Sequence, residues 1–67
     1  MSIARVTEII SSSSKSFEDA IEKGIARAAK TLKSVEGAWI KEQKVIVKNG
    51  KIAEYRVDLK VTFILID

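Results

Sequence analysis

One stretch of the chain alternates between apolar and polar residues without a break: Tyr55-Arg56-Val57-Asp58-Leu59-Lys60-Val61-Thr62-Phe63. Side chains of a β-strand point alternately to its two faces, so the odd-numbered residues are expected to face a core and the even-numbered residues the opposite side. Shortly before this stretch stands Asn49-Gly50, the favoured pair for a two-residue hairpin turn. We therefore predict an antiparallel hairpin with strands over residues 39–48 and 51–66.

A helix is predicted upstream of the hairpin, over residues 16–35. Ser16-Phe17-Glu18-Asp19 has the form of a capping box, with Asp19 in place of the usual Glu or Gln. Acidic residues lie near the start and basic residues toward the end, as the helix dipole favours. The apolar residues recur at helical spacing and form one stripe: Phe17, Ala20, Ile21, Gly24, Ile25, Ala28, Leu32 and Val35. Gly37 is expected to end the helix or to open the next strand.

The first element is predicted to be a strand over residues 3–10, because that segment is rich in β-branched residues. The serine-rich residues 11–15 are predicted to form a polar loop, since serine favours turns and caps. The chain is thus expected to fold as a single domain, residues 1–67, of the α+β class. Its β-α-β-β order predicts a three-stranded antiparallel sheet curled around one long helix.

The lengths of these elements predict an obligate oligomer. A strand of about fifteen residues extends ~50 Å, whereas a helix over residues 16–35 extends only ~30 Å. One helix cannot cover such a sheet, and the open sheet edges favour pairing with neighbours. A 67-residue chain also buries little surface, and without cysteine it has no disulfide to compensate. Assembly with copies of itself is the remaining way to bury the exposed apolar surface.

Composition excludes several other classes of protein. The net charge is +3, but basic and acidic residues are interleaved along the whole chain, which argues against a nucleic-acid partner. No apolar run is long enough to span a membrane. Arg5 and Glu8 interrupt what would be the apolar part of a secretory signal, so we expect a cytoplasmic protein.

The sequence also argues against catalysis, and we predict no catalytic residue. The chain has neither histidine nor cysteine, so it lacks both the commonest general base and a thiol nucleophile. Two carboxylates with separated pKa values can act as acid and base, but nothing in the sequence marks such a pair. We predict that the protein is not an enzyme.

Over nearly its whole length the chain resembles the dodecin family. The resemblance is carried by the alternating residues 55–63 and by four shorter segments: Val6-Thr7-Glu8-Ile9, Ser16-Phe17, Arg27-Ala28-Ala29-Lys30-Thr31 and Glu42-Gln43. It implies a hollow shell of twelve copies that holds flavins in pairs at subunit contacts. In the family a tryptophan stacks on the flavin ring and a glutamine binds the polar edge of the ring.

The positions of these two family residues differ in this chain. Gly37 stands at the tryptophan position, and the single tryptophan, Trp39, lies two residues further on. By strict alternation Gly37, Trp39 and Gln43 share one strand face. Arg56 stands at the glutamine position and supplies only donors. The resemblance therefore predicts a flavin site (for riboflavin, FMN or FAD) made by Trp39, Gln43, Arg56 and Gly37.

Each of these residues also has a simpler interpretation as part of a subunit contact. Trp39 would then cover apolar area between copies, and Arg56 would form an ion pair with a nearby acid. Symmetry could also gather acidic residues into clusters suited to hard cations, although one chain does not reveal which metal. The candidates are Glu8, Glu42, Glu54 and Asp58. The sequence thus predicts a non-enzymatic shell that stores a small ligand, with flavin leading, or alternatively a structural or cation-binding shell without flavin.

Overall fold

The computed structural model describes residues 3–65, which form three strands and one helix in the predicted order. The elements are β1 (Ala4–Ser13), α1 (Phe17–Thr31), β2 (Val35–Lys48) and β3 (Lys51–Ile64). The predicted end of the last strand at Ile66 lies outside the described residues. The sheet is antiparallel with the order β1-β3-β2, so β3 is the central strand. The predicted α+β fold, with its β-α-β-β topology, is confirmed.

The core lies between α1 and one face of β3. Val57, Leu59 and Val61 are fully buried, as the alternation of this strand predicts. Ala20 and Ala28 are the buried residues that α1 contributes, together with Gly24. We call the sheet face that carries Val57, Leu59 and Val61 the helix face. The opposite face, which carries Arg56, Asp58 and Lys60, is called the outer face.

The helix is much shorter than the sheet. Its fifteen residues extend about 22 Å, whereas each fourteen-residue strand of the hairpin extends about 46 Å. The molecule is accordingly 51 Å long and only 13 Å thick. Apolar side chains beyond the helix and on the outer face stay exposed, among them Ile10, Trp39, Val47 and Ile52. The mismatch in length that the sequence predicts is therefore present. Within residues 3–65, no helix is long and apolar enough to cross a membrane.

The prediction of a polar loop over residues 11–15 was wrong for residues 11–13. Ser11, Ser12 and Ser13 continue β1 and pair with Val57, Arg56 and Tyr55 of β3. The buried hydroxyl of Ser13 donates to Asp19 and accepts from the backbone N–H of Lys15. Because these bonds are made at the strand end, Ser13 caps the strand instead of breaking it.

The predicted helix was too long at its C-terminal end. It begins as expected, with the Ser16 hydroxyl accepting from the N–H of Asp19 at 3.0 Å. It ends at Thr31, however, because Leu32 already has an extended conformation and Ser34 has a positive φ of 56°. Val35 pairs with Phe63 in the sheet. Gly37 consequently lies inside β2 and neither ends the helix nor opens the strand.

The contacts of Asp19 predict a pH-dependent contribution to stability. A hydrogen bond from Ser13 and then one from Lys23 (3.0 Å) hold the pKa of Asp19 below its ordinary value of 3.8. A carboxylate with a depressed folded-state pKa stabilises the fold above its unfolded pKa, and this contribution is lost as the pH falls through the folded pKa. We expect Asp19→Asn to lower the Tm by a few degrees at about pH 7 and to have little effect at about pH 2.

The measurement is thermal unfolding at both pH values and at one protein concentration. Glu18→Gln is the matched control, because it removes the neighbouring carboxylate of the first helical turn, which is exposed. An Asp19→Asn deficit of equal size at both pH values would contradict the ionic origin of the effect.

Candidate functional site

The candidate site is a groove on the outer face. Trp39 is 61% exposed there, although tryptophan is usually well covered. Its cross-strand partner is Lys60, which in turn pairs with Glu8 of β1. With Val6 and Lys41 these residues line a groove of about 660 Å³. The groove thus offers one flat aromatic surface beside two cationic side chains and one carboxyl group.

A β-bulge in β2 decides which residues face this groove. Ile40 pairs with Leu59 and Glu42 pairs with Asp58, so Lys41 has no partner in the ladder. Bulges bend a strand and redirect its side chains. The Lys41 ammonium reaches the carboxylate of Glu8 at 3.3 Å and so lies on the outer face.

The bulge overturns the prediction that Gln43 shares a face with Trp39. Gln43 pairs with the buried Val57 and therefore belongs to the helix face, whereas Trp39 pairs with Lys60 of the outer face. Strict alternation fails here because the strand contains one residue more than the pairing uses. Gln43 cannot act beside Trp39 within one copy of the chain.

Gly37 and Trp39 do share a face, as predicted, since they pair with Thr62 and Lys60. Among residues 3–65, no side chain lies within 4 Å of where a Cβ on Gly37 would stand, so these residues leave the space beside Trp39 open. Arg56 also lies on the outer face, but four residues from Lys60, or about 13 Å along the strand. The structure therefore brings Gly37 and Trp39 together, keeps Arg56 at a distance and separates Gln43.

Arg56 pairs with an acid of its own strand. Its guanidinium donates to the Glu54 carboxylate at 3.2 Å, and both side chains are about one third exposed. An ion pair that is this exposed contributes little to stability. The guanidinium therefore remains accessible to a further anion.

Two carboxyl groups of the outer face, those of Glu8 and Asp58, shift each other's pKa in opposite directions. A hydrogen bond from Asp58, followed by one from Lys41, holds the pKa of Glu8 below its ordinary value. Burial, followed by the contact with Glu8, raises the pKa of Asp58. Glu8 in turn raises the pKa of Lys41. One Asp58 oxygen, Oδ1, is buried without a hydrogen-bond partner among residues 3–65.

The arrangement can bind a flat ring or an anion, but it lacks a ready-made metal site. Trp39 supplies a stacking surface, and Lys41 and Lys60 supply cationic donors beside it, while Arg56 supplies a further donor about 13 Å away along the strand. Within residues 3–65, no group of three or more acidic, histidine or cysteine side chains is placed to hold a metal ion. The alternation of apolar and polar residues in β3 could have placed Lys60 on the same face as this site. Nothing in the sequence indicates the bulge that brings Lys41 to it.

Comparison with known proteins gives a consistent answer. The sequence profile of the dodecin family matches residues 3–65. A dodecin of Thermus thermophilus is 32% identical over 61 residues, covering 91% of this chain and 88% of that protein. The solved dodecin of Streptomyces davaonensis has a TM-score of 0.94 at 33% identity, covering 98% of this chain and 97% of that one.

A second similar structure comes from Mycobacterium tuberculosis and is described as a calcium-chelating immunodominant antigen, calcium dodecin, with a novel calcium-binding site. It has a TM-score of 0.81 at 34% identity, covering 91% of this chain and 87% of that one. The family profile spans every described residue, and the fold matches in both structures. The chain belongs to the dodecin family.

Proposed function

We propose that this protein is a non-enzymatic homo-oligomer, of twelve copies as in the family, that stores a small flat ligand in the cytoplasm. Flavin, as riboflavin, FMN or FAD, is the leading ligand. The observation that carries the proposal is the exposed ring of Trp39 beside the open space at Gly37. A ring stacked on Trp39 would be shielded from water between two copies.

The residues present fit a flavin in part. Trp39 offers the stacking surface, and Lys41 and Lys60 stand beside it in the same groove. The polar edge of the flavin ring carries hydrogen-bond acceptors and a donor. The cationic side chains only donate, so they would satisfy the acceptors of the ring and leave its donor without a partner. Binding would therefore rest on stacking and charge more than on matched hydrogen bonds.

Fluorescence tests this function directly, because Trp39 is the only tryptophan of the chain. Titration of the purified oligomer with FMN is expected to quench both the flavin and Trp39, at about one flavin per subunit. Trp39→Ala should weaken binding by about 5-fold to 150-fold, since stacking on an aromatic side chain contributes ~1–3 kcal/mol.

Trp39→Phe is the matched control, because it keeps an aromatic ring at the same position and should retain part of the affinity. Absence of quenching at micromolar FMN would contradict the flavin role. Equal affinity of the wild-type protein and Trp39→Ala would instead place the ligand elsewhere.

The second candidate is a flavin-free structural or cation-binding shell, in which Trp39 and Arg56 serve only subunit contacts. The buried, unpartnered oxygen of Asp58 favours it, because copies around a symmetry axis would bring further oxygen ligands to that carboxyl group. The calcium-binding relative is consistent with this reading. In that case calcium would raise the Tm of the oligomer, Asp58→Asn would abolish the increase, and FMN would have no effect.

A further inference from the structure

One row of cross-strand pairs crosses the groove at Trp39. Glu8 of β1 is opposite Lys60 of β3, and Lys60 is opposite Trp39 of β2. The bulge adds Lys41, whose ammonium lies 3.3 Å from the Glu8 carboxylate. Neighbouring strands are about 4.8 Å apart, so the backbones at Glu8 and Trp39 are separated by about 10 Å. The aromatic surface and the carboxylate therefore stand at opposite sides of one groove, and both lysines lie beside the carboxylate.

The Glu8 carboxylate is ionised and accessible. Hydrogen bonds from Asp58 and then from Lys41 hold the pKa of Glu8 below its ordinary value of 4.5, so the group is charged at neutral pH. Its side chain is 43% exposed. An ionised carboxylate has about four acceptor sites, which these two donors do not exhaust.

Glu8 also supplies what the rest of the groove lacks. The other side chains that line it within residues 3–65 are a valine, the tryptophan and two lysines, and none of these can accept a hydrogen bond. The lysines can donate to carbonyl oxygens of a ligand, and the carboxylate beside them can accept from an N–H. The groove thus combines donors and an acceptor at the side that faces away from the indole.

This combination matches the polar edge of an imide, in which one N–H lies between two carbonyl groups. We propose that Glu8 is the hydrogen-bond acceptor of the ligand site, and that with Lys41 and Lys60 it selects flat aromatic rings that carry an imide. The inference rests on the proposed function and specifies the class of ligand that the groove at Trp39 accepts. Flavins belong to this class, because their ring has such an edge.

Selection follows from the cost of leaving polar groups unmatched. Stacking on Trp39 and attraction to the lysines act on many flat rings, so they set most of the affinity without distinguishing one edge from another. A ring without the N–H would leave the Glu8 carboxylate facing carbonyl oxygens or an alkyl group, which is unfavourable once water is excluded. The groove, of about 660 Å³, is within the size range of small-molecule pockets.

The first test changes the ligand and leaves the protein intact. Riboflavin and its N3-methyl derivative differ only in the imide N–H, which the methyl group replaces. We expect the wild-type oligomer to bind the methylated ring about 10-fold to 100-fold more weakly, because a hydrogen bond to an ionised group is lost. Quenching of Trp39 fluorescence measures both dissociation constants.

The second test separates the hydrogen bond from the charge of Glu8. Glu8→Gln and Glu8→Leu both remove the negative charge and keep a side chain of similar size, but only glutamine retains an acceptor. Riboflavin should therefore bind Glu8→Leu about 10-fold to 100-fold more weakly than Glu8→Gln. Glu22→Leu is the matched control, since Glu22 is an exposed acid of α1 outside the groove, and it should bind riboflavin as the wild type does. Analytical ultracentrifugation and circular dichroism verify that every variant assembles and folds.

The outcomes distinguish this role of Glu8 from the storage function itself. Equal affinity of the wild type for the two rings would overturn the selection by Glu8 and leave the flavin role intact. Equal riboflavin affinity of Glu8→Gln and Glu8→Leu would do the same. If neither ring quenches Trp39, the proposed function fails and the selection fails with it. The comparison of the two rings needs no variant, so it decides the role of Glu8 even where a substitution disturbs assembly.

Discussion

Replacing Leu59 by alanine is expected to remove most of the stability of a single copy. Leu59 is fully buried at the centre of the core, and its side chain fills the space between β3 and α1 beside Gly24. Deleting a buried leucine side chain costs ~2–5 kcal/mol, through lost burial and the cavity left behind. A single core in a domain this small supplies only about 3–5 kcal/mol in total.

Urea denaturation at one fixed protein concentration measures this effect. Leu65→Ala is the matched control, since it deletes the same atoms from a side chain that is 43% exposed. The control should cost far less than Leu59→Ala. Similar losses for the two variants would show that Leu59 does not anchor the core.

The second large effect is expected at Gly24, where the helix approaches the sheet closely. A Cβ at this position would stand 3.0 Å from Leu59 Cδ1 and 3.1 Å from Ser11 Cβ. The leucine tip can move, whereas Ser11 Cβ is fixed to the backbone of β1. Gly24→Val should therefore push α1 away from the sheet, at a cost of ~1–3 kcal/mol for overpacking.

Ala26→Val is the control for this variant, because it places the same β-branched side chain at an exposed helical position. The comparison separates the clash from the intrinsic helix propensity of valine. Stability would be read from the same urea curves. A Gly24→Val protein no less stable than Ala26→Val would contradict the close approach.

Most of the fold could be predicted from local patterns. Alternation in β3 assigned Val57, Leu59 and Val61 to the core, because a half-buried strand has few other ways to arrange such a sequence. The Asn49-Gly50 turn has the positive φ angles that its sequence favours, 53° and 73°. These features depend on neighbours in the chain, so the sequence alone is sufficient to predict them.

The errors occurred where pairing between distant residues decides the outcome. Ser11–Ser13 became strand because β3 offers partners to them, and Val35 left the helix because Phe63 pairs with it. The site prediction failed at Gln43 for the same reason, since the bulge at Lys41 exists only through the register with β3. The helical stripe and the alternation of β2 contain no signal for either event.

The bulge at Lys41 also affects how related sequences can diverge. Because this residue is held outside the ladder, its removal would leave Trp39 on the outer face and Gln43 on the helix face, with every pair on both sides intact. A one-residue gap at this point would be a neutral length change for the sheet, whereas a gap two positions to either side would bring Lys41 into the ladder and turn the residue between it and the gap to the other face. A one-residue length difference at residue 41 should therefore be tolerated among homologues of this chain, and residue counts that cross it should not be used to match side chains between them.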